Sequence, residues 1–340
     1  AGTVRAEATI AWEEKEAPPF RLFVQAEDQH EDRLWPDPNA FLVACILSAW
    51  DAGERRVRVE GALCPTLCQQ IKAPIALLDS WYPNDFGTPP AIESTEEVNA
   101  LHPFQSGSAC LLSCGIDSLG SLRANLLQYP PGHPAAVTAG ILIAHQKKPA
   151  ESRQALLEAA RGRLPAAREI TADAQIDAIP VCTNIWWLNP DGYFFSDKSH
   201  GAQLASIASF FSRGFQRAYI AASFFAPYLH VPWGSHPLLD NYFSTAHFQI
   251  VHHGVEMTRL AKTKLAADWP VALQNIRVCA NDNSGSTNCG TCEKCIRTMT
   301  TLVALGKLRE CRSFPRRDVD VELLEYIETY DMMDEDYQAL

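Results

Sequence analysis

Residues 108–127 read SACLLSCGIDSLGSLRANLL. The apolar run 108–112 predicts a short buried strand, residues 113–118 a turn, and the spaced leucines of 119–127 a helix that Pro130 and Pro131 must end. A strand that opens a helix through such a turn aims backbone N–H groups and the positive helix end at one spot, and that spot binds phosphate. Gly115 is expected to supply a backbone conformation closed to larger residues, Ser113 and Ser118 to offer hydroxyl donors, and Asp117 to fix the turn or hold magnesium. The same six residues also suit a capped helix start with no ligand.

Downstream, apolar strands are predicted at 137–144, 178–182 and 218–222, with helices at 151–163 and 204–213 between them. Strand and helix alternate, so the expected fold is α/β, a parallel sheet with helices on both faces and ligands at the carboxyl ends of its strands. The turn follows the first of these strands.

Upstream, residues 1–95 read as a small α/β accessory domain. Apolar and polar residues alternate over 3–12, a strand covers 20–24, Asn39 caps a helix through Asp51, residues 55–60 alternate as a strand, and Pro65 opens a helix running towards Trp81. Pro83, Asn84, Asp85, Gly87, Pro89 and Pro90, then the acidic residues 93–97, mark the boundary. The expected division is 1–95 accessory domain, 100–270 nucleotide domain, 271–312 cysteine-rich segment and 313–340 acidic helical tail.

With 340 residues, 47% of them hydrophobic and 20% charged, there is apolar material for two cores. A net charge of -11 argues against a surface that holds nucleic acid by phosphate neutralisation. Asp318, Asp320, Glu322, Glu325, Glu328, Asp331, Asp334, Glu335 and Asp336 lie in a stretch without Lys or Arg, which suits a solvated helix face or a docking tail. No apolar run approaches the roughly 20 residues needed to span a bilayer, and residues 1–5 lack the apolar stretch of a secretory signal. A soluble, cytoplasmic protein is expected.

Four of the eleven cysteines, Cys279, Cys289, Cys292 and Cys295, are spaced Cx9CxxCxxC. Two overlapping CxxC steps turn thiolates inward on a short knuckle, and a fourth from the adjoining segment completes the tetrahedral set of structural zinc. An iron–sulfur cluster or two redox disulfides are the alternatives.

Ser113, Cys114, Gly115, Ile116, Asp117 and Ser118 resemble the SGGxDS loop of the PP-loop, or N-type, ATP pyrophosphatase family, with Cys114 at its first glycine. The segment NCGTCEKC (288–295), with Cys279 ahead of it, is similar to the zinc motif of one branch, the 7-cyano-7-deazaguanine synthases. Together the likeness covers about 108–298. It implies an adenine nucleotide alpha hydrolase-like fold, ATP with Mg2+ at residues 113–118, Zn2+ on the four cysteines, and catalytic roles for Asp117 and Ser118. The implied reaction splits ATP to AMP and pyrophosphate and activates a carboxylate such as 7-carboxy-7-deazaguanine for a nitrogen nucleophile, either ammonia or a protein or peptide amine. A family sulfur transferase using Cys114 or Cys182 as carrier, and a nucleotide-binding subunit without turnover, are the other readings.

Ser235, His236 and Asp240 lie in a polar, aromatic loop after the fourth strand, where a substrate loop or a rigid proline loop is expected. Lys198 and His200 open a helix and either face phosphate or form a solvated start. His252, His253, Glu256, Arg259 and Lys262 keep helical spacing and suit a surface ion-pair face, or a balance to phosphate charge through Arg259 or Lys262. Cys64, Cys68, Cys110 and Cys182 read as core, whereas Cys114 is expected to present an exposed thiol of lowered pKa at a helix N-terminus.

Overall fold

In the computed structural model, residues 2–96, 107–145, 163–279 and 288–325 are described. The chain opens with an antiparallel hairpin of β1 (Thr3–Ile10) and β2 (Phe20–Glu27). Helix α1 (Pro38–Asp51) follows, then β3 (Arg56–Ala62), α2 (Pro65–Gln70), α3 (Lys72–Trp81) and β4 (Ala91–Glu96). Asp37, not Asn39, caps α1. Its side chain accepts from the Asn39 amide at 2.9 Å and Pro38 takes the first helical position, while Asn39 Oδ1 accepts from the Cys64 amide. Nearly every side chain from Ala40 to Trp50 is buried, as in a helix that is apolar all round.

The predicted alternation then unfolds as β5 (Ser108–Leu111), α4 (Ile116–Gln128), β6 (Val137–His145), α5 (Leu164–Asp173), β7 (Asp177–Thr183), α6 (His200–Ser209) and β8 (Arg217–Ala221). After α7 (Pro237–Asp240) come β9 (Gln249–His253), α8 (Arg259–Ala267), α9 (Pro270–Gln274), α10 (Glu293–Ala304) and α11 (Val321–Glu325). The helix expected at 151–163 falls almost wholly outside the described residues, as does most of the acidic tail.

One seven-stranded sheet has the order β1-β2-β7-β6-β5-β8-β9, and β3 with β4 makes a separate parallel pair. The strands β7, β6, β5, β8 and β9 run parallel, and the β1–β2 hairpin adds antiparallel to β7. From β5 the chain steps to β6 and β7 on one side and then returns to β8 and β9 on the other. The strand order therefore reverses between β5 and β8, where crevices in open α/β sheets hold their ligands.

Side-chain alternation along the strands divides the interior into two cores. Ala109, Leu111, Ile141, Val181 and Ile220 meet α1 and α6 on one face, and Cys110, Leu112, Leu142 and Tyr219 meet α4, α5, α8 and α10 on the other. Ser206 Oγ of α6 donates to Ala40 O of α1 at 2.8 Å, and the Phe41 and Phe210 rings stand edge to face at 4.8 Å.

The boundary expected near Pro83–Pro90 does not separate two cores. β1 and β2 extend the main sheet, and α1 is one of the two long helices covering one of its faces. Asn184 fixes the join, accepting from the Phe23 amide at 3.0 Å and donating to Arg21 O, while Thr183 Oγ1 donates to Phe23 O. A second difference concerns residues 249–253, where His252 and His253 belong to β9 and not to the helix their spacing suggested. Among the described residues, no helix is long and apolar enough to cross a membrane.

Candidate functional site

At the carboxyl end of β5, the residue with left-handed backbone is Cys114, at φ 61°. Gly115 is extended, at φ -79°, so the backbone freedom expected of it is required one residue earlier. What Gly115 provides is space, since a Cβ there would lie 3.2 Å from Ser113 Oγ. Ser113 Oγ accepts from the Gly115 amide at 3.2 Å and lies 3.1 Å from Ser118 Oγ, which donates to Gly115 O at 3.0 Å. The hydroxyls thus brace the turn, and the first amides of the thirteen-residue α4 open beyond it.

Cys114 is fully buried in the core beneath the turn, and burial pushes its thiol up to about 12. The exposed, acidified thiol expected from the sequence is therefore absent. Cys182 is also fully buried, with its thiol pushed up to about 12 by the same cause.

Arg259 and Lys262, from the first turn of α8, converge on Asp117. Arg259 Nη1 stands 3.3 Å from Asp117 Oδ2, and Lys262 Nζ is 3.7 Å from Oδ1 while donating to Ala222 O at 2.6 Å. Lys262 is 1% exposed, which overturns the surface ion-pair reading. Gly120 makes this approach feasible, because a Cβ on it would sit 2.7 Å from Lys262 Cβ and 3.0 Å from Lys262 Cα. Cationic side chains thus gather at the turn through a helix more than 140 residues away in sequence. His253, beside them on β9, pairs its Nδ1 with Ser121 Oγ of α4 at 2.7 Å.

Cys279, Cys289, Cys292 and Cys295 place one sulfur each within 4.8 Å of one another. Around zinc at about 2.3 Å, the edges of a tetrahedron of sulfurs are about 3.8 Å, and Cys289 Sγ lies 3.9 Å from Cys295 Sγ. Such a set fits one ion at its centre and leaves no room for the irons and sulfides of a cluster. The Thr291 and Cys292 amides donate to Cys289 Sγ at 3.4 and 3.3 Å, and the Cys289 amide donates to Cys279 Sγ at 3.4 Å. Burial raises the Cys289 thiol, but the Thr291 hydroxyl, the Thr291 and Cys292 amides and the Cys279 side chain outweigh it and bring the group down to about 6. Gly290, at φ 73°, makes the knuckle turn that neither a side chain nor Pro315 beside it would admit. The four-cysteine cluster can hold one zinc ion.

Ser235, His236, Asp240 and His200 are brought together, joined by a Gly201 amide that donates to Gly234 O at 2.8 Å. Their polar groups are turned inward. Ser235 Oγ donates to Asp240 Oδ2 at 2.6 Å, His252 Nδ1 pairs with the same oxygen at 2.7 Å, and His200 Nδ1 lies 2.9 Å from Ser196 O. His236 Nδ1 accepts from the Leu238 amide and its Nε2 donates to Leu229 O, so the ring is neutral and caps α7. Lys198 does not join them. Its Nζ pairs with Asp85 at 2.7 Å and lies 4.7 Å from each of the Phe86 and Tyr193 ring centroids.

Burial holds the His236 pKa below its ordinary value. A depressed histidine contributes stability that is present above the unfolded pKa, about 6.5, and lost as pH falls through the folded value. The urea midpoint should therefore fall between about pH 7.5 and about pH 5.5, with a shallower fall in His236→Gln. Equal slopes in the two proteins would show that His236 carries none of the effect.

Compared with family models, curated proteins and solved structures, the chain matches none.

Proposed function

We propose that this protein is an ATP-dependent adenylating enzyme of the PP-loop kind, with an adenine nucleotide alpha hydrolase-like fold and an acyl-transfer chemistry akin to that of 7-cyano-7-deazaguanine synthases. The observation that carries the reading is the left-handed backbone of Cys114, at the position where the resembled loop has glycine, in a turn after β5 at the point of strand reversal. A side chain there is tolerated because it points into the core and not towards the turn's open side.

In this reading the amides opening α4 receive the pyrophosphate of ATP, with Arg259 and Lys262 supplying positive charge. A substrate carboxylate oxygen attacks the α-phosphorus, the bond to the β-phosphate oxygen breaks, and pyrophosphate leaves with the electron pair. An amine nitrogen then attacks the acyl carbon, loses a proton, and AMP leaves. Preformed dipoles stabilise the departing anion without reorganisation. Mg2+, when bound, neutralises phosphate charge, and Asp117 is the carboxylate at the turn that would hold it. Ser118 keeps the turn in shape through Gly115 O. Zn2+ on the cysteines would be structural, since all four protein ligands close the site.

The acyl acceptor is ammonia or a protein or peptide amine. Ser235, His236, Asp240 and His200 shape the loop beside β9 and leave substrate contact to groups other than their own paired atoms. The carrier-thiol reading loses its support, because Cys114 and Cys182 are buried and their thiols raised.

Incubation with ATP, Mg2+, 7-carboxy-7-deazaguanine and either ammonium or an amine-bearing peptide should yield AMP and pyrophosphate in step with amide. ADP as the product, or nucleotide binding with no turnover for any carboxylate offered, would reject the reading. In the active system Asp117→Asn is expected to slow pyrophosphate release by about 10²- to 10³-fold. A rate within about twofold of the parent would remove Asp117 from the machinery.

A further inference from the structure

The cysteine cluster and the turn are separated by more than 160 residues in sequence and by one hydrogen bond in space. The Arg277 amide donates to Cys114 O at 2.8 Å, and Arg277 O lies 3.6 Å from where a Gly115 Cβ would be. Two residues further on is Cys279, the cluster member that comes from outside the knuckle. Between them stands Asn288, 1% exposed, with its whole side chain engaged. Asn288 Oδ1 accepts from the Val278 and Cys279 amides at 3.0 and 3.2 Å, and Nδ2 donates to Ile276 O and Ser313 O at 2.9 and 2.8 Å.

From this geometry we infer that metal occupancy of the Cys279–Cys289–Cys292–Cys295 cluster sets the conformation of the Ser113–Ser118 turn, and that Asn288 is the positioning residue that transmits it.

Cys114 occupies a left-handed conformation that is strained for a residue with a side chain and persists only where its surroundings over-determine it. Its carbonyl is held from outside by the Arg277 amide, on a stretch with no regular secondary structure between the end of α9 and Cys279. That stretch is fixed at its far end by Cys279 Sγ, and along its length by the Asn288 amide group. A metal ion ties Cys279 to Cys289, which follows Asn288 directly, so the ion and the Asn288 side chain clamp the same two strands of chain. Without the ion, the four sulfurs are joined only by weak contacts such as that of Cys289 Sγ with Cys295 Sγ at 3.9 Å. The 276–279 stretch then loses the tie through the ion and keeps the Asn288 hydrogen bonds and the Cys289 amide bond to Cys279 Sγ, so the Cys114 carbonyl has a less rigid donor. Groups that orient a metal ligand commonly change affinity or activity by about 10–100-fold, and here the oriented ligand segment is also a wall of the turn.

The inference rests on the turn being an anion site only for its functional consequence. Its structural part is tested without any activity, by hydrogen exchange of the full chain as purified, with one zinc per chain, and after removal of zinc by a chelator. Zinc removal should raise the exchange of the Arg277 and 115–119 amides by about tenfold or more and leave the β1–β2 hairpin unchanged. Asn288→Ala and the near-isosteric Asn288→Asp keep the four sulfurs. Asp retains the acceptor oxygen but loses the donor to Ile276 O and Ser313 O, so with zinc still bound each variant should speed exchange at the same amides, Ala more than Asp.

Exchange changes confined to 276–298, in both the zinc-free protein and the zinc-loaded variants, would overturn the inference. If the zinc-free protein unfolds throughout, the zinc-loaded Asn288→Asp protein decides between the same two outcomes. Titration of the same samples with inorganic pyrophosphate separates the coupling from the anion site. Weaker pyrophosphate binding in zinc-loaded Asn288→Asp, with faster exchange at the turn, supports both. Faster exchange without pyrophosphate binding in any form leaves the coupling standing and rejects the anion site. Unchanged exchange with unchanged pyrophosphate affinity rejects the coupling and leaves the anion site.

Discussion

Gly201→Ala is expected to destabilise the protein by about 3 kcal/mol or more, enough to lower the urea midpoint visibly and to reduce soluble yield. A Cβ at this position would lie 2.1 Å from Asp240 Oδ1, 2.7 Å from Gly234 O and 2.9 Å from Ser235 Cα. Two of these three atoms are backbone, so no side-chain rotation relieves the clash. The helix start of α6 would have to leave the 234–235 loop, breaking the Gly201 amide bond to Gly234 O. Asp240 is fully buried and accepts from Ser235, and its carboxylate would be pushed off partners that hold it without solvent. Gly192→Ala is the control, because a Cβ there meets nothing within 4 Å and its backbone is not left-handed. Comparable midpoints for the two variants would show that the α6–loop junction yields more easily than its packing implies.

Cys295→Ser should cost the protein its metal. Cys295 is fully buried in the first turn of α10, and its sulfur is the partner of Cys289 Sγ across the tetrahedron. A serine hydroxyl is a poor ligand for zinc beside three thiolates, so metal content after dialysis should fall from about one per chain towards none. A ligand held at about 1,000 times its Kd stabilises the fold by about 4 kcal/mol, and loss of that amount lowers Tm by roughly 6 °C for a chain of 340 residues. Cys311→Ser is the matched comparison. Its thiol is also buried but bonds to Leu273 O and Ser313, outside the four-sulfur set, and metal content should stay at one. Full metal retention in Cys295→Ser would show that three sulfurs suffice and that Cys295 is packing alone.

Much of the α/β pattern was legible because it is written in local chemistry. The apolar runs at 108–112, 137–144, 178–182 and 218–222 became β5, β6, β7 and β8, since a strand buried on both faces must be apolar along its whole length. The spacing of Cys279, Cys289, Cys292 and Cys295 was equally local for three of the four, because two CxxC steps and Gly290 compel a knuckle. The capping of α1 was misplaced by two residues for a local reason too, since Asp37 and Asn39 both suit a cap and Pro38 between them decides for the first.

Other features needed the fold. Residues 1–96 carry ordinary strand and helix signals, and nothing in them tells a separate domain from a hairpin that adds to the edge of β7 and a helix that covers the sheet. That distinction is made by which apolar face meets which, a matter of shape complementarity across distant segments. His252 and His253 share the helical spacing of Arg259 and Lys262 only by coincidence, and the sheet edge beside β8 claimed them for β9, while Arg259 and Lys262 do lie on one helix. Lys262 looks like a surface residue in sequence and is buried in fact, because Gly120 on another helix lets α8 come within contact of α4.

The sequence by itself determined the strand–turn–helix unit at 108–128 and the Cys289–Cys292–Cys295 part of the four-cysteine cluster, since both depend on residues near one another along the chain. Only the tertiary structure decided where the left-handed residue lies, which cations meet Asp117, and that Arg277 ties the cluster to the turn. Those are contacts between segments more than 140 residues apart, and a chain records in its order the chemistry it can offer but not the distances at which packing will bring it together.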